Sequence, residues 1–214
     1  MLVKNCPLCI SENTQFFFAF NQRHYYRCAR CHLTYLDPKQ RLSSEEEKKR
    51  YDLHQNHPYD SNYRKFLDQL AMPLIQFLKP SDVGLDFGCG PSPTLSVMLN
   101  ERGYSCTHYD PIYYPQKNLL NKKYDFISCS EVFEHMYHPN QELKLLLSLL
   151  KPKGFLSIMT SFLTDDQMFP QWHYMRENTH VCFYKIQTFR WIEKKYPLNL
   201  IYHSNNVVIY TKAF

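Results

Sequence analysis

No run of roughly 18 uncharged apolar residues occurs in the chain, so the sequence holds no membrane-spanning helix. The opening stretch MLVKNCPLCI lacks the apolar run of a secretory signal, and the expectation is a cytoplasmic protein. There is no internal repeat, which excludes a solenoid, and no low-complexity tract. A strong charge of one sign is also missing. The formal charge is +5, and most of it sits at the front. Residues 1–41 hold Lys4, Arg23, Arg27, Arg30, Lys39 and Arg41 against Glu12 and Asp37. Four metal-bound thiolates would cut that local surplus to about +2. Such a balance offers no broad basic face to nucleic acid.

What is present is ordinary for a globular protein. Hydrophobic residues make up 44% of 214, which excludes a disordered chain. The 17 Tyr and 15 Phe suit a large core. The length fits one α/β domain of roughly 150 residues with a small appendage. Eight cysteines in a reducing compartment imply free thiols or metal ligands rather than disulfides.

Residues 1–40 read as the appendage. Between its cysteine pairs, TQFFFAFNQRHYYRC gives two β-prone stretches around a turn at Asn21-Gln22-Arg23. Residues 41–60 read as a helical linker, with Ser43 and Glu46 forming a capping box. The segment LHQNHPYD within it is irregular. From residue 61 a helix over SNYRKFLDQLAMPLIQFLKP, interrupted by Pro73, leads into strand–helix alternation. VGLDF, SCTHYD, YDFISCS and FLSIMTS read as strands, and PTLSVMLNERG and NQELKLLLSLLKPKG as helices with glycine stops. That alternation implies a parallel sheet covered on both faces. LNLIYHS and NVVIYTKA follow the helix KIQTFRWIEKKY and close the chain as an antiparallel hairpin.

Cys6-x-x-Cys9 and Cys28-x-x-Cys31 stand 18 residues apart, a spacing that suits a four-thiolate zinc site. Four protein ligands leave no open coordination position, so the zinc would be structural. A module of about 40 residues has too little core to fold alone, and the metal supplies the deficit.

The other informative stretch is GLDFGCGPSP. A strand ends at Asp86, and Gly88-Cys89-Gly90 turns into a helix, bringing backbone amides close to a ligand. A pyrophosphate site would want a third glycine where Pro93 stands, which argues against NAD or FAD. Asp110 ends the next strand, where a carboxylate can accept from ribose hydroxyls.

VGLDFGCGPSP, THYDP, YDFISCSEVFEHMYHP and LLKPKGFLSIMTS stand in the order found in class I S-adenosylmethionine-dependent methyltransferases, which residues 60–214 resemble. The front segment resembles the zinc-binding leader of some bacterial methyltransferases. The resemblance implies a Rossmann-like, mostly parallel sheet over 61–214 with an antiparallel C-terminal hairpin, preceded by a small zinc ribbon, with 41–60 as a cofactor lid. It implies S-adenosylmethionine as cofactor, with Asp86, Gly88, Cys89 and Gly90 on the methionine part and Asp110 on the ribose. Ser130 and Glu131 would lie beside the cofactor and the transferred methyl. Only about 13 residues separate Asp110 from YDFIS, so the sheet's third strand is expected to be short or missing.

Methyl transfer chiefly needs alignment, and a base only when the acceptor carries a proton. The candidates are Glu131 and His135 after the YDFISCS strand, with Glu134 read as a cap. His173 and His180 follow the last parallel strand in a segment expected to face the acceptor. The acceptor stays open among a small metabolite, a sugar, RNA and protein. Two alternatives remain: an inactive relative that binds RNA or protein, and a nicotinamide oxidoreductase.

Overall fold

The computed structural model describes residues 5–53 and 57–213, so parts of the expected N-terminal module and of the irregular LHQNHPYD segment lie outside it. Strands β1 (Thr14–Phe20) and β2 (Arg23–Cys28) form the first hairpin. Asn21 and Gln22 both take left-handed φ, 46° and 64°, as a two-residue turn matched to strand twist requires. β3 (Thr34–Leu36) adds to β2. Helix α1 (Ser44–Tyr51) opens with the expected box: Glu46 N donates to Ser43 Oγ, and Ser43 N donates to Glu46 Oε2.

Helix α2 (Ser61–Ile75) carries Pro73 in its last turn. Then come β4 (Val83–Phe87), α3 (Thr94–Glu101), β5 (Ser105–Tyr109), β6 (Tyr124–Ser130), α4 (Pro139–Leu149) and β7 (Leu150–Met159). A one-turn helix α5 (His173–Arg176) precedes the two-residue strand β8 (Cys182–Phe183). Helix α6 (Ile186–Lys195) and strands β9 (Leu198–His203) and β10 (Val207–Lys212) end the fold.

The larger sheet runs β5-β4-β6-β7-β10-β9, with β5, β4, β6 and β7 parallel and the last two strands antiparallel. A short bridge between Asp110 and Tyr114 and a 3-10 turn, Lys117–Asn121, join β5 to β6, so among the described residues β5 is the edge strand. Alternation along each strand feeds two cores. Phe126, Val207 and Ile209 pack with Leu67, Leu70, Leu74 and Leu99 of α2 and α3. Ile127, Val208 and Tyr210 face Leu143, Leu146, Phe189 and Ile192 of α4 and α6. Gly84 is small because the Phe126 ring lies against it: a Cβ there would meet the ring at 2.0 Å.

Two expected boundaries differ: the helix read over residues 61–80 ends at Ile75, two residues past Pro73, and a glycine stop is displaced. The glycine stop at Gly154 does not end α4; the helix ends at Leu149, and Gly154 is already in β7. Pro152 disfavours helical geometry at Lys151 and forces the exit earlier.

The smaller sheet runs β1-β2-β3-β8. Its fourth strand comes from far along the chain: Thr34 pairs with Phe183 and Tyr35 with Cys182. The aromatic rings of Phe17, Phe18, Tyr25 and Phe183 surround Phe169 at centroid distances of 5.2, 5.8, 5.2 and 5.3 Å. Tyr25, Leu33 and Tyr35 thereby join the same buried core as α4 and α6. Among the described residues no helix is long and apolar enough to cross a membrane.

Candidate functional site

Two identical knuckles gather the N-terminal cysteines. The carbonyls of Cys6 and Cys28 accept from Ile10 N and His32 N at 2.9 Å, and their amides donate to Ser11 O and Leu33 O at 2.9 Å. Ile10 and His32, each following the second cysteine of a pair, take left-handed φ of 59° and 62°. Cys6 Sγ lies 3.5 Å from Cys31 Sγ, and Cys9 Sγ 3.4 Å from Cys28 Sγ. All four sulfurs fall within 4.8 Å of one another. A tetrahedral zinc with bonds of about 2.3 Å needs sulfurs roughly 3.8 Å apart. The donor set fits that ion.

The second site lies at the carboxyl ends of β4 and β6, where the strand order reverses and α/β sheets open a crevice. Gly88 and Gly90 take φ of 77° and 65°, backbone that favours glycine. A Cβ on Gly88 would strike the Val132 methyls at 2.7 Å; one on Gly90 would stand in open space. The turn's amides are committed inward. Gly88 N and Cys89 N donate to Tyr109 O at 2.8 and 3.3 Å, and Gly90 N donates to Asp110 Oδ2 at 3.0 Å. A pyrophosphate needs such amides unclaimed, so this geometry adds to Pro93 in disfavouring a dinucleotide.

Asp110 organises both loops. Its Oδ1 accepts from Ile112 N and Tyr113 N at 2.8 and 3.0 Å, while Oδ2 holds Gly90. Asp86 has a different position from the one the resemblance implies. It is 2% exposed, behind the turn, and its Oδ2 accepts from Ser96 N at 3.2 Å. Pro93 gives α3 no side-chain cap, and Asp86 satisfies a first-turn amide from the neighbouring strand.

Burial pushes the Asp86 carboxyl up to about 7, with the Ser96 amide opposing and the Asp110 charge adding to the rise. Unfolded, the group titrates near 4. Its protonated form therefore contributes stability that is whole below about pH 4 and lost as pH rises through 7. An Asp86→Asn chain keeps an oxygen for Ser96 and carries no buried charge. Its melting temperature should match the parent's at pH 4 and exceed it at pH 8, by the equivalent of roughly 2–4 kcal/mol. Thermal melts at the two pH values check this, and equal curves at pH 8 would remove the buried charge from the account.

A cavity of about 660 Å³ runs from this turn to the segment after β6, within the ~300–1,000 Å³ range of small-molecule sites. Gly88, Cys89, Gly90 and Asp110 wall one end, and Ser130, Glu131, Glu134, His135 and His180 the other. Glu47 and Tyr51 of α1 and Tyr63 and Phe66 of α2 also line it. Glu47 and Tyr51 belong to the segment expected as a cofactor lid, whereas Tyr63 and Phe66 had no sequence signal beyond a helical one. His173 is exposed and absent from the wall, whereas its neighbour Tyr174 is buried behind it.

The far end is dense with polar groups. Ser130 Oγ is buried without a hydrogen-bond partner. Glu131 takes φ 52°, a strained backbone for a non-glycine residue. Its Oε2 lies 3.2 Å from the Tyr174 hydroxyl, which lies 2.9 Å from Thr160 Oγ1, which donates to Glu134 Oε2 at 2.9 Å. Two hydroxyl protons serve three contacts, and a proton on Glu131 completes the chain. Burial, then the Glu134 charge, pushes the Glu131 carboxyl up to about 9. Burial holds His180 down at about 4, so it is neutral. Glu134, expected as a cap, is instead fully buried in a 3-10 turn, Phe133–His135.

Residues 59–203 match a family model described as a methyltransferase domain. No curated protein matches the chain. Among solved structures, the magnesium protoporphyrin IX methyltransferase of Synechocystis PCC 6803, with bound SAH, is 14% identical with a TM-score of 0.51, covering 79% of this chain and 94% of that one. An O-methyltransferase family protein of Burkholderia thailandensis is 12% identical with a TM-score of 0.48; the match covers 78% of this chain and 62% of that one. A possible histamine N-methyltransferase of Thermotoga maritima is 14% identical with a TM-score of 0.45, covering 79% and 96%. The first of these shows the shared fold. With well over half its length matched by the family model, the chain belongs to the methyltransferase-domain family.

Proposed function

We propose that the cavity binds S-adenosylmethionine between the Gly88–Gly90 turn and Asp110, and that the chain methylates a small acceptor held beside Glu131, His135 and His180. The continuity of one cavity from the turn to those side chains carries this reading. The residues suit the cofactor: open space stands over Gly90, and Ser130 Oγ has no partner within the protein. When bound, S-adenosylmethionine supplies a methyl group on a positively charged sulfur. Asp110 spends three acceptor positions on backbone amides, and a carboxylate has about four. The remaining one is available to a ribose hydroxyl. Asp86 acts at one remove, by fixing α3 under the turn.

Residues of α1 and α2 wall the cavity, which favours a small acceptor over a nucleic acid, as does the modest charge. Zinc in the four-cysteine site would hold the N-terminal module and take no part in the transfer. Titration calorimetry with S-adenosylhomocysteine and with NADH tests the reading. One equivalent of the first and none of the second is expected; NADH binding, or no binding of either, overturns it.

A further inference from the structure

We propose that Glu134, His135 and His180 form a second metal site, which takes a divalent first-row transition ion at the wall of the cavity. Each of the three offers one ligand atom, and these atoms lie within 4.8 Å of one another. The hydrogen bonds decide which ring nitrogens are free to bind. His135 Nδ1 lies 3.1 Å from the Thr179 carbonyl oxygen, and His180 Nδ1 lies 2.7 Å from that of Tyr174. A carbonyl only accepts, so both Nδ1 atoms carry the proton and both Nε2 atoms present a lone pair. Metal-ligating histidines are held this way, the second nitrogen donating to a backbone carbonyl.

The carboxylate answers the same description. Glu134 is fully buried; Oε2 is held by Thr160 Oγ1 at 2.9 Å, and Oε1 has no hydrogen-bond partner. His135 Nε2 stands 3.9 Å from that Oε1. A buried carboxylate oxygen without a partner is costly, and a cation between it and two imidazole lone pairs removes the cost. The rings of His135 and His180 lie 4.7 Å apart and steeply inclined, at 70°, edge to face rather than stacked. Two imidazoles and one carboxylate suit Zn²⁺, Mn²⁺ or Fe²⁺ and are unlike the four-thiolate set at the other site. Three protein ligands leave positions open, and the same residues line the cavity. The ion is placed to take an oxygen donor from whatever the cavity holds. The site stands whether or not that occupant is S-adenosylmethionine.

The test uses the full chain with zinc already in the cysteines, and no cofactor. Equilibrium dialysis against Mn²⁺ or further Zn²⁺, read by elemental analysis, should find a second equivalent. His180→Ala and Glu134→Gln should each weaken it at least a hundredfold and leave the first equivalent in place. Thr160→Val, which frees the other Glu134 oxygen, should weaken it about tenfold. His135→Ala, at a less buried position, serves where Glu134→Gln does not fold. In a chain carrying Co²⁺ at both sites, only the four-cysteine ion should show thiolate charge-transfer bands, and His180→Ala should leave them unchanged. A wild-type chain that takes up one equivalent only, or a second equivalent indifferent to His180→Ala and His135→Ala, overturns the site.

Discussion

A Cys28→Ser chain should lose the zinc proposed for its four N-terminal cysteines and, with it, hydrogen-exchange protection in two segments far apart in sequence, residues 14–36 and 181–184. Structural zinc contributes about 10–16 kcal/mol to the folding of small finger modules, against a whole-domain stability of roughly 5–15 kcal/mol. The N-terminal hairpin therefore does not survive its loss. The sequence alone suggests that the damage stops near residue 40, but the structure extends it. β8 has β3 as its partner, and Leu36 N donates to Val181 O at 2.9 Å. Arg23 Nη2 donates to the His180 and Asn178 carbonyls at 3.1 and 3.3 Å, and the Tyr25 hydroxyl donates to Met175 O at 3.3 Å. The cysteines thus brace the wall that carries His180. Methyl transfer should fall at least tenfold, while S-adenosylhomocysteine affinity, which the proposed site draws from β4, β5 and α3, changes by no more than a few-fold. Exchange mass spectrometry together with calorimetry measures both. Protection lost from residues 14–36 alone would reduce the module to an appendage.

That bracing shows where the sequence stops being legible. The knuckles, the Ser43 capping box and the β4 turn each lie within a few consecutive residues, and local chemistry specifies them. The missing third strand was legible too, from the few residues between Asp110 and Tyr124. β8 is two residues long and has no periodicity to read. Its existence depends on a partner about 150 positions earlier. In WHYMRENTH, side-chain type suggested both His173 and His180, and only the course of the chain around one helical turn exposes the first and buries the second. Asp86 carried a ligand-binding pattern, yet Pro93 at the head of α3 leaves an amide that Asp86 satisfies. Glu134 looked like a cap because a glutamate after a strand commonly is one. Tertiary packing places it in the core with one oxygen unmatched.

Asp110→Ala should cost both cofactor affinity and stability. A ribose carboxylate that did nothing else would leave the melting temperature unchanged, but Asp110 also accepts from Ile112 N, Tyr113 N and Gly90 N. Hydrogen bonds to a charged group are worth about 1.5–3 kcal/mol each, and the residue is only 7% exposed. Losing three destabilises by several kcal/mol even after water reaches some of the amides, enough to lower the melting temperature by several degrees. S-adenosylhomocysteine affinity should fall at least tenfold, since the fixed position of the Gly90 turn goes with the ribose acceptor. Asp110→Asn separates the two effects. Its amide oxygen still accepts from Ile112 and Tyr113, so most of the melting temperature should return. Its NH₂ group faces the Gly90 N–H, and the negative charge is gone, so affinity should stay low. Calorimetry showing that the asparagine variant binds S-adenosylhomocysteine like the parent would confine the Asp110 carboxylate to shaping the loop and place the ribose elsewhere in the cavity.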